Sequence, residues 1–464
     1  MKRIACILIA ILIPLVCSGD GWYFSSGAGG GEVADPTDQF SGNPVFSVGV
    51  TATELDNEGT ISVSSNIATF SVAFPTNVGV GDVVQYDVDN DGTIGDGEYG
   101  IIHGISTDRK KAYLLKTNGG NVTNTSAATE VYDIFRAYTS LANWESSTEN
   151  TNIDEDCRDD YGLTDLDLTD GDDEDGPLYV ACYADGADAA CVIDGYTTDA
   201  DDFIEIFAPY TAAMVGTSQR HAGAWSTSYY HILGTADQVL VPRDANVRLV
   251  GLQVGMNIAK AANYGVIVPN TVTDGLVVDS CIIRGNVGAE ATQGRLFYVL
   301  ATAAATVTLK NSILYGTSGS ANACAVVLND ADSTLNVINC TISDSTNGSA
   351  AVYNDDGTTN VINCAVFNNT DDFQTDAGTL TVTYTASDDN DVAGTGNVDI
   401  SPGATEADDW TAKFGGYASG DFTLNAGENA LVGAGIIQTG VTVDIINTSR
   451  GTVGNACDIG AFER

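Results

Sequence analysis

Apolar residues recur in a fixed order through the second half of the chain, in six copies between Val247 and Asn390. Each copy holds two short runs in which every second residue is apolar, and the runs slip by one position at a corner. The residue after the corner is, in successive copies, Leu252, Cys281, Ser312, Cys340, Cys364 and Thr385. Their spacings of 29, 31, 28, 24 and 21 residues, with short strands and sharp bends, predict a solenoid.

The corner residue is Gly or Asn in four of the six copies, and these two residue types tolerate positive φ best. A turn at the corner lets both runs face inward although their phase differs by one residue. The pattern therefore predicts an all-β fold, a right-handed parallel β-helix. The residues after the corner should form one inward column, and Asn311, Asn339 and Asn363 should stack beside it and share amide hydrogen bonds.

The rest of the chain divides into segments by composition. Thr139 or Ser140 is suited to begin a short helix with Leu141 and Trp144 on one side, and such a helix can cover the open end of a solenoid. Strand-like runs separated by turns precede it, and aromatic residues follow the repeats. The predicted segments are a signal peptide (1–19), a Gly-rich leader (20–45), a small β domain (46–136), the helical cap with the β-helix (137–395), and C-terminal coils or a cap (396–464).

Charge and the N-terminal segment indicate where the protein works. The formal net charge of the 464 residues is −44, which opposes binding to nucleic acid and to anionic lipid. Lys2 and Arg3 precede an apolar run that is too short to span a bilayer, as in a secretory signal peptide. Lipidation of Cys17 is disfavoured, since Val16 stands where a small residue is expected. We expect a secreted or cell-surface protein with no transmembrane segment.

Ten cysteines occur in the chain, and eight follow the predicted signal peptide. Cys340 and Cys364 fall in the same column of successive coils, which permits a disulfide, but buried thiols acting as small apolar side chains are the favoured interpretation. Cys182 and Cys191 flank a short Asp- and Gly-containing turn and can close it as a disulfide. Both alternatives remain open for this second pair.

A calcium-loop motif runs from Asp87 to Glu98, Asp-Val-Asp-Asn-Asp-Gly-Thr-Ile-Gly-Asp-Gly-Glu. It matches the acid spacing of a calcium loop at every defined position. The predicted ligands are side-chain oxygens and one backbone carbonyl, from Asp87, Asp89, Asp91, Thr93 and Glu98. Strand-like runs flank the motif where helices usually stand, so we expect a structural Ca²⁺ site on a β scaffold. The alternative is an Asp- and Gly-rich turn without metal. The acidic stretch 154–175 has no ligand spacing and is interpreted as a solvated charge run.

Three segments carry a family resemblance. They are the run from Thr217 to Tyr229, the first repeat from Val247 to Val254, and the ending Cys-Asp-Ile-Gly-Ala-Phe-Glu at 457–463. Together they resemble bacterial secreted right-handed parallel β-helix proteins of the pectate-lyase-like superfamily. The resemblance covers roughly residues 130–464. It implies an architecture rather than an activity, because this fold hosts lyases, hydrolases, adhesins and inert surface proteins.

Catalytic motifs of that superfamily are incomplete here. The phrase Asn369-Thr370-Asp371-Asp372 is similar to the clustered aspartates of polygalacturonase-like hydrolases, but the Gly-His-Gly and Arg-Ile-Lys phrases are missing from the sequence. A lyase needs a basic proton abstractor beside calcium. The coil region offers scattered candidates for that base and for acids: Arg243, Arg248, Lys260, Arg284, Arg295, Lys310, Asp279, Asp330 and Asp332.

An aromatic group beside the first coils is the candidate binding site. Trp225, Tyr229 and Tyr230 are close in sequence to His221 and His231, and such rings stack on sugars when exposed and fill a core when buried. The predicted function is an exported, non-catalytic scaffold that is adhesive or binds an extracellular glycan or cell-surface component. The alternative is a polysaccharide lyase or glycoside hydrolase.

Overall fold

The structure of the protein is a computed structural model. It describes residues 34–94, 98–127, 129–161, 166–170, 176–256, 264–271, 274–285, 294–301, 303–318, 324–346, 348, 350–389, 394–401, 410–426, 430–451 and 456–464. The predicted signal peptide and residues 20–33 of the predicted leader lie outside these ranges. The predicted parallel β-helix is confirmed, because successive coils place parallel strands in three stacked sheets.

A coil contributes one strand to each of the three sheets. Along a coil, the strand of the first sheet is followed at the corner by the strand of the third sheet and then by the strand of the second sheet. Within the described residues the first sheet has nine parallel strands, in spatial order Val45–Val48, Leu178–Cys182, Ile204–Phe207, Val247–Val250, Val277–Asp279, Thr306–Lys310, Thr334–Ile338, Thr358–Ile362 and Thr379–Thr383. The third sheet, which follows the corner, has Ala187–Asp188, His231–Gly234, Gln253–Met256, Ile282–Arg284, Ile313–Ser318, Thr341–Thr346, Ala365–Phe367, Ala386–Ser387 and Val398–Asp399.

The second sheet closes each coil. Its described strands are Cys191–Ile193, Gln238–Pro242, Tyr264–Ile267, Gly294–Ala301, Cys324–Leu328, Val352–Asn354 and Phe373–Thr375, and Asn270–Thr271 pairs with the end of Gly294–Ala301. Side chains from all three sheets fill a continuous interior of Val, Ile and Leu. Because each coil lies on its neighbour in register, equivalent positions form rows along the axis.

The corner between the first and third sheets confirms the role given to the Gly and Asn positions. All six corner residues have positive φ, at Gly251 (70°), Ser280 (56°), Asn311 (49°), Asn339 (53°), Asn363 (56°) and Tyr384 (51°). The six residues that follow them are buried in one inward column, as predicted. The backbone N–H of Cys340 donates to Sγ of Cys364 at 3.4 Å, so these residues occupy adjacent coils.

The cysteines are free thiols. All eight cysteines within the described residues are buried and unbridged. Cys340 and Cys364 act as apolar side chains of the interior, and the open alternative of a Cys182–Cys191 disulfide is not realised. Burial raises the pKa of Cys182 and of Cys340 well above the ordinary value, which keeps both thiols protonated and unreactive.

An antiparallel sheet forms the N-terminal domain. Its described strands, in spatial order, are Ile61–Ser64, Ile67–Phe70, Lys111–Leu115, Tyr99–Ile105, Val83–Tyr86 and Tyr132–Phe135. The predicted boundary between leader and β domain falls inside Val45–Val48, which pairs with Leu178–Cys182 and belongs to the β-helix. Phe40 lies just before this strand and packs its ring 4.8 Å from that of Tyr179.

The predicted helical cap is present as Leu141–Glu145. The Ser140 hydroxyl accepts a hydrogen bond from the N–H of Asn143 at 3.0 Å, which satisfies one of the free donors of the first turn. Leu141 and Trp144 are buried, and Trp144 stacks on Tyr196 at 5.6 Å. A second helix, Glu155–Tyr161, lies within the first part of the acidic stretch 154–175. Residues 162–165 and 171–175 of this stretch lie outside the described residues.

The C-terminal segment, defined here as residues 410–464, packs on the flank of the β-helix. It contains the 3-10 helices Trp410–Ala412 and Tyr417–Ser419 and two antiparallel strand pairs, Phe414–Gly416 with Asp421–Leu424 and Gly435–Ile436 with Ala456–Cys457. Phe367 of the third sheet stacks on Phe414 at 4.5 Å and on Trp410 at 5.2 Å. The aromatic residues expected in an end cap therefore cover the outer face of the third sheet, whose strands are apolar on both faces.

Candidate functional site

The predicted calcium loop joins two antiparallel strands of the N-terminal domain, Val83–Tyr86 and Tyr99–Ile105. A β scaffold at this place agrees with the expectation from the flanking sequence. Asp87, Asp89 and Asp91 each offer a carboxylate oxygen, and these oxygens lie within 4.8 Å of one another. Clustered carboxylates of this kind are the donor set that a hard cation such as Ca²⁺ prefers.

Asp87 is the buried member of this group. Its Oδ1 accepts hydrogen bonds from the N–H groups of Asp89 (3.1 Å) and Asn90 (3.0 Å), and its Oδ2 accepts one from Gly92 (2.8 Å). Burial favours the neutral acid, but the backbone donors outweigh burial and hold the pKa of Asp87 below its ordinary value. The carboxylate is therefore ionised at neutral pH.

Thr93 and Glu98 complete the motif in sequence. Thr93 lies in the same turn, and its N–H donates to the carboxylate of Asp91 at 2.8 Å. Glu98 instead forms an ion pair with Lys116 at 3.7 Å and does not join the three aspartates. The fit to a calcium site is thus partial, because Glu98 must exchange Lys116 for the cation.

The predicted aromatic binding group is divided by burial. Tyr230 is 1% exposed and its hydroxyl donates to Asp188 at 2.9 Å, so it belongs to the interior and is removed from the group. Trp225 is half-buried, with its ring 6.2 Å from that of His231 and the Arg284 guanidinium 3.7 Å above it. Tyr229 remains half-exposed. The Arg284 guanidinium therefore covers one face of the Trp225 ring.

Both histidines near this group, His221 and His231, are buried and hydrogen-bonded to backbone carbonyls. His221 is buried, its Nε2 is hydrogen-bonded to the carbonyl of Ser280 at 2.8 Å, and its Nδ1 accepts from the N–H of Gly223 at 3.2 Å. Burial lowers the pKa of His221 to about 3, and the neighbouring Arg220 contributes. His221 is therefore neutral at physiological pH and serves the packing of the corner.

The basic residues considered as proton abstractors have other partners. Lys310 pairs with Asp279 at 3.2 Å, Arg243 pairs with Asp194 at 2.9 Å, and Arg248 stacks over Phe203 at 3.3 Å. Lys260 lies outside the described residues. Arg284 and Arg295 stack on aromatic rings, and Asp330 accepts a hydrogen bond from the Ser333 hydroxyl in a turn. Arg248, Asp279 and Lys310 lie near Glu205 on the outer face of the first sheet, whereas the other described basic candidates belong to the second and third sheets.

The outer face of the second sheet carries a row of interacting polar and aromatic side chains, which we call the tyrosine–acid ladder. Its members are Arg295, Tyr298, Asn329, Tyr353, Asp355, Gln374 and Asp376. Tyr298, Val327, Tyr353 and Gln374 occupy paired positions on four successive strands. The ladder therefore follows the axis of the β-helix.

Hydrogen bonds connect neighbouring coils within the ladder. The Asp355 carboxylate accepts from Nδ2 of Asn329 at 2.6 Å and from the Tyr353 hydroxyl at 3.2 Å. The same hydroxyl is hydrogen-bonded to Asp376, which also accepts from Nε2 of Gln374 at 3.1 Å. These bonds orient two carboxylates and one phenol on a single surface.

The electrostatics of the ladder keep its acid ionised and its phenols neutral. Hydrogen bonds from Tyr353 and Gln374 lower the pKa of Asp376 below its ordinary value. Burial, followed by the bond to Asp376 and the charge of Asp355, raises the pKa of Tyr353. Burial also raises the pKa of Tyr298, although the Arg295 guanidinium 3.9 Å above its ring opposes that effect. The ladder thus presents hydrogen-bond acceptors beside aromatic rings.

Sequence reasoning missed the ladder because the repeat was recognised only in the two strands that meet at the corner. The strands of the second sheet follow connections of unequal length, so their residues do not align at a fixed spacing. A signal was present in the tyrosines of Phe297-Tyr298-Val299 and Val352-Tyr353-Asn354. Each tyrosine stands between residues that are buried, as an outward position of a strand does.

A second group of acids lies at the last coils. Asp372 is fully buried, with Oδ1 accepting from Nδ2 of Asn369 (2.8 Å) and Oδ2 from the Ser387 hydroxyl (2.7 Å) and the N–H of Asp388 (3.1 Å). Carboxylate oxygens of Asp388 and Asp389 lie within 4.8 Å. Burial is the main reason that the pKa of Asp372 rises to about 8, and both neighbouring acids add to it.

The outer face of the first sheet is uncharged over its last coils. Three rows of paired positions run along it, and the residues are Thr306, Thr334, Thr358 and Thr379, then Thr308, Asn336, Asn360 and Thr381, then Lys310, Ile338, Ile362 and Thr383. Lys310 is the one charged residue among them, and it pairs with Asp279. This face has hydroxyl and amide groups but no aromatic ring in these rows.

The chain shares little sequence with known proteins. No family model matches the chain, and no curated protein matches it. The solved structure of pectate lyase Pel9A is similar at 12% identity with a TM-score of 0.31, covering 62% of this chain and 88% of that one. The tailspike gp49 from Pseudomonas phage LKA1 is similar at 8% identity with a TM-score of 0.18, covering 77% and 68%.

A third solved structure is the Gp54 tailspike of Acinetobacter baumannii bacteriophage AP22 in complex with A. baumannii capsular saccharide. It is 11% identical with a TM-score of 0.15, and the match covers 71% of this chain and 64% of that one. Among the described residues, no helix has the length and apolar character needed to cross a membrane. The strand pairing assigns the chain to the parallel β-helix fold, and any function has to be argued from its own surface residues.

Proposed function

We propose that this protein is an exported, non-catalytic β-helix scaffold that binds a glycan along the outer face of its second sheet. The tyrosine–acid ladder is the observation that carries the proposal. Aromatic rings stack on the apolar faces of sugar rings, and carboxylates accept hydrogen bonds from sugar hydroxyls. Tyr298 and Tyr353 supply the rings, and Asp355 and Asp376 supply the acceptors.

The other surfaces support this choice of face. The C-terminal segment covers the third sheet, and Phe40 packs on the beginning of the first sheet. The remaining rows of the first sheet lack aromatic rings, which makes them less suited to sugar stacking. The net charge of −44 favours an uncharged glycan over a polyanion, because like charges repel at low ionic strength.

A glycoside hydrolase is the second candidate, since Asp355 and Asp376 are hydrogen-bonded to one hydroxyl and form a carboxylate pair. Hydrolysis requires a carboxylic acid that is protonated when substrate binds. The lowered pKa of Asp376 makes it a poor proton donor. A cavity of about 200 Å³ lined by Pro36, Ile105 and Ala213 lies in another part of the protein. These observations favour binding without turnover.

The test is a glycan array probed with the mature protein and three variants. Tyr353→Ala should lose binding, and Tyr210→Ala should retain it, because Tyr210 is an exposed tyrosine outside the ladder. Loss of binding in Tyr229→Ala instead would assign the site to the group around Trp225. Release of reducing ends or of unsaturated uronides from a bound glycan would replace the scaffold proposal with an enzyme, and the absence of any bound glycan would overturn it.

A further inference from the structure

The spacing of the two ladder tyrosines determines which glycans can use both. Tyr298 pairs with Val327, and Val327 pairs with Tyr353, so the tyrosines are two coils apart in one row. Adjacent strands of a sheet are about 4.8 Å apart, which separates the two positions by about 10 Å along the axis. Val327 faces outward between them and is fully buried, so neighbouring groups cover its side chain.

From this spacing we infer that the ladder binds an uncharged, extended β-1,4-linked glycan lying parallel to the axis of the β-helix. The inference rests on the proposed glycan-binding function and specifies its ligand. Sugars in such a chain advance by roughly one coil spacing each, and alternate sugars present the same face to one side. Two aromatic rings separated by two coils therefore contact the first and third sugars of one segment.

The acceptors are placed to contact the edge of the same segment. Asp355 follows Tyr353 by two residues on the same coil, and Asp376 follows Gln374 in the same way on the next coil. A carboxylate has about four acceptor sites, and the two hydrogen bonds described for each carboxylate leave sites for ligand hydroxyls. Hydroxyls that project sideways from a flat, extended chain can reach both carboxylates.

Other linkages fit this geometry poorly. An α-1,4-linked chain coils and a β-1,3-linked chain curves, so neither keeps its first and third sugars on one straight line. Polyuronates match in length but place a negative charge on every sugar beside Asp355 and Asp376. Repulsion by these acids and by the net charge of −44 disfavours such chains.

The experiment measures affinity by calorimetry for β-1,4-linked glucose, mannose and xylose oligosaccharides, from disaccharide to hexasaccharide. We expect at least one series to gain about tenfold in affinity between the disaccharide and the trisaccharide, when the second ring is first engaged. Matching α-1,4- and β-1,3-linked glucose series should show no such step. Urea unfolding of each variant establishes that a loss of affinity is not a loss of fold.

Variants distinguish two rings from one. Tyr298→Ala and Tyr353→Ala should each reduce the affinity for the trisaccharide about tenfold and leave the disaccharide less affected. Tyr353→Phe keeps the ring and should preserve the step in affinity. If bound glycans show no dependence on length or linkage, or if Tyr298→Ala has no effect, the inference is overturned while the proposed function stands. If no glycan binds, the proposed function itself is wrong.

Discussion

Arg136 and Asp82 form an ion pair in which neither side chain is exposed to solvent. Nη1 of Arg136 lies 2.7 Å from one carboxylate oxygen of Asp82 and 2.8 Å from the other. The same guanidinium binds Asp185 through Nε at 2.7 Å and Nη2 at 3.0 Å. Asp82 precedes a strand of the N-terminal domain, and Asp185 follows one of the first sheet, so Arg136 joins domain and β-helix directly.

Replacing Arg136 by Met should be strongly destabilising. Burial favours the neutral form, but Asp82 and Asp185 outweigh it and raise the pKa of Arg136, so the guanidinium is charged in the folded protein. Its removal leaves two carboxylates without their counter-ion in a low dielectric, which costs about 3–5 kcal/mol in the free energy of unfolding. The measurement is urea unfolding of the protein at neutral pH.

An exposed ion pair provides the matched control. Arg243 and Asp194 lie 2.9 Å apart but are 39% and 53% exposed, so Arg243→Met should cost less than about 1 kcal/mol. Equal losses in Arg136→Met and Arg243→Met would show that burial of the Arg136 network contributes nothing.

At the corner, Asn339 tests the value of residues that tolerate positive φ. Asn339 has φ of 53°, and with its amide oxygen directed toward Arg450 it accepts hydrogen bonds at 2.8 and 3.2 Å. Both variants lose the amide; Asn339→Ala keeps the Cβ in the left-handed region, whereas Asn339→Gly removes it. The free energy of unfolding, measured in urea, should therefore be about 1–2 kcal/mol lower for Asn339→Ala than for Asn339→Gly. Equal stability of the two variants would contradict a backbone constraint at this corner.

Asp372 should make stability depend on pH. Its pKa of about 8 in the folded state exceeds the ordinary value near 3.8, so folding favours the protonated form between these values. The stabilisation is complete below about pH 4 and is lost as pH rises through about 8. The side chain of Asp372→Asn is neutral at every pH. For each unit that pH rises within this window, the free energy of unfolding of Asp372→Asn should increase by about 1.4 kcal/mol relative to that of the wild type.

Urea unfolding midpoints of the two proteins, measured from pH 4 to pH 9, give this difference as a function of pH. Asp332→Asn changes an exposed aspartate, and its curve of midpoint against pH should be parallel to that of the wild type. A parallel curve for Asp372→Asn as well would show that Asp372 titrates near its ordinary pKa.

Calcium should stabilise the N-terminal domain. A ligand that binds only the folded state stabilises it by RT ln(1 + [L]/Kd), so millimolar Ca²⁺ should raise the melting temperature of the protein. Asp89→Asn and Glu98→Ala should diminish the rise, and Asp201→Asn, which changes an exposed acid elsewhere, should not. If calorimetry shows neither heat nor a thermal shift, the segment from Asp87 to Glu98 is only a turn.

The sequence predicted the elements whose signals are local. The alternation of apolar residues, with Gly251, Asn311, Asn339 and Asn363 at the corner, predicted the coils, the inward column and the positive φ values that the structure contains. Ser140 and Trp144 likewise predicted the cap helix, because an N-cap hydroxyl and a buried face are read from neighbouring positions. The predicted amide ladder is not formed as expected, because Asn311 donates to Asp279 and accepts from Arg450, and Asn363 exchanges hydrogen bonds with backbone groups of Ile436.

Only the tertiary structure decided which surfaces are covered and which residues meet. The C-terminal segment lies on the third sheet because Ile282, Ile313 and Phe367 face outward and bury their apolar surface against it, a long-range choice that spacing does not encode. Burial of Tyr230 was decided in the same way. The ladder forms because stacking brings Tyr298 and Tyr353 into one row, although 54 intervening residues hold unequal loops. Local periodicity determines the coil, whereas the register between coils determines the functional surface.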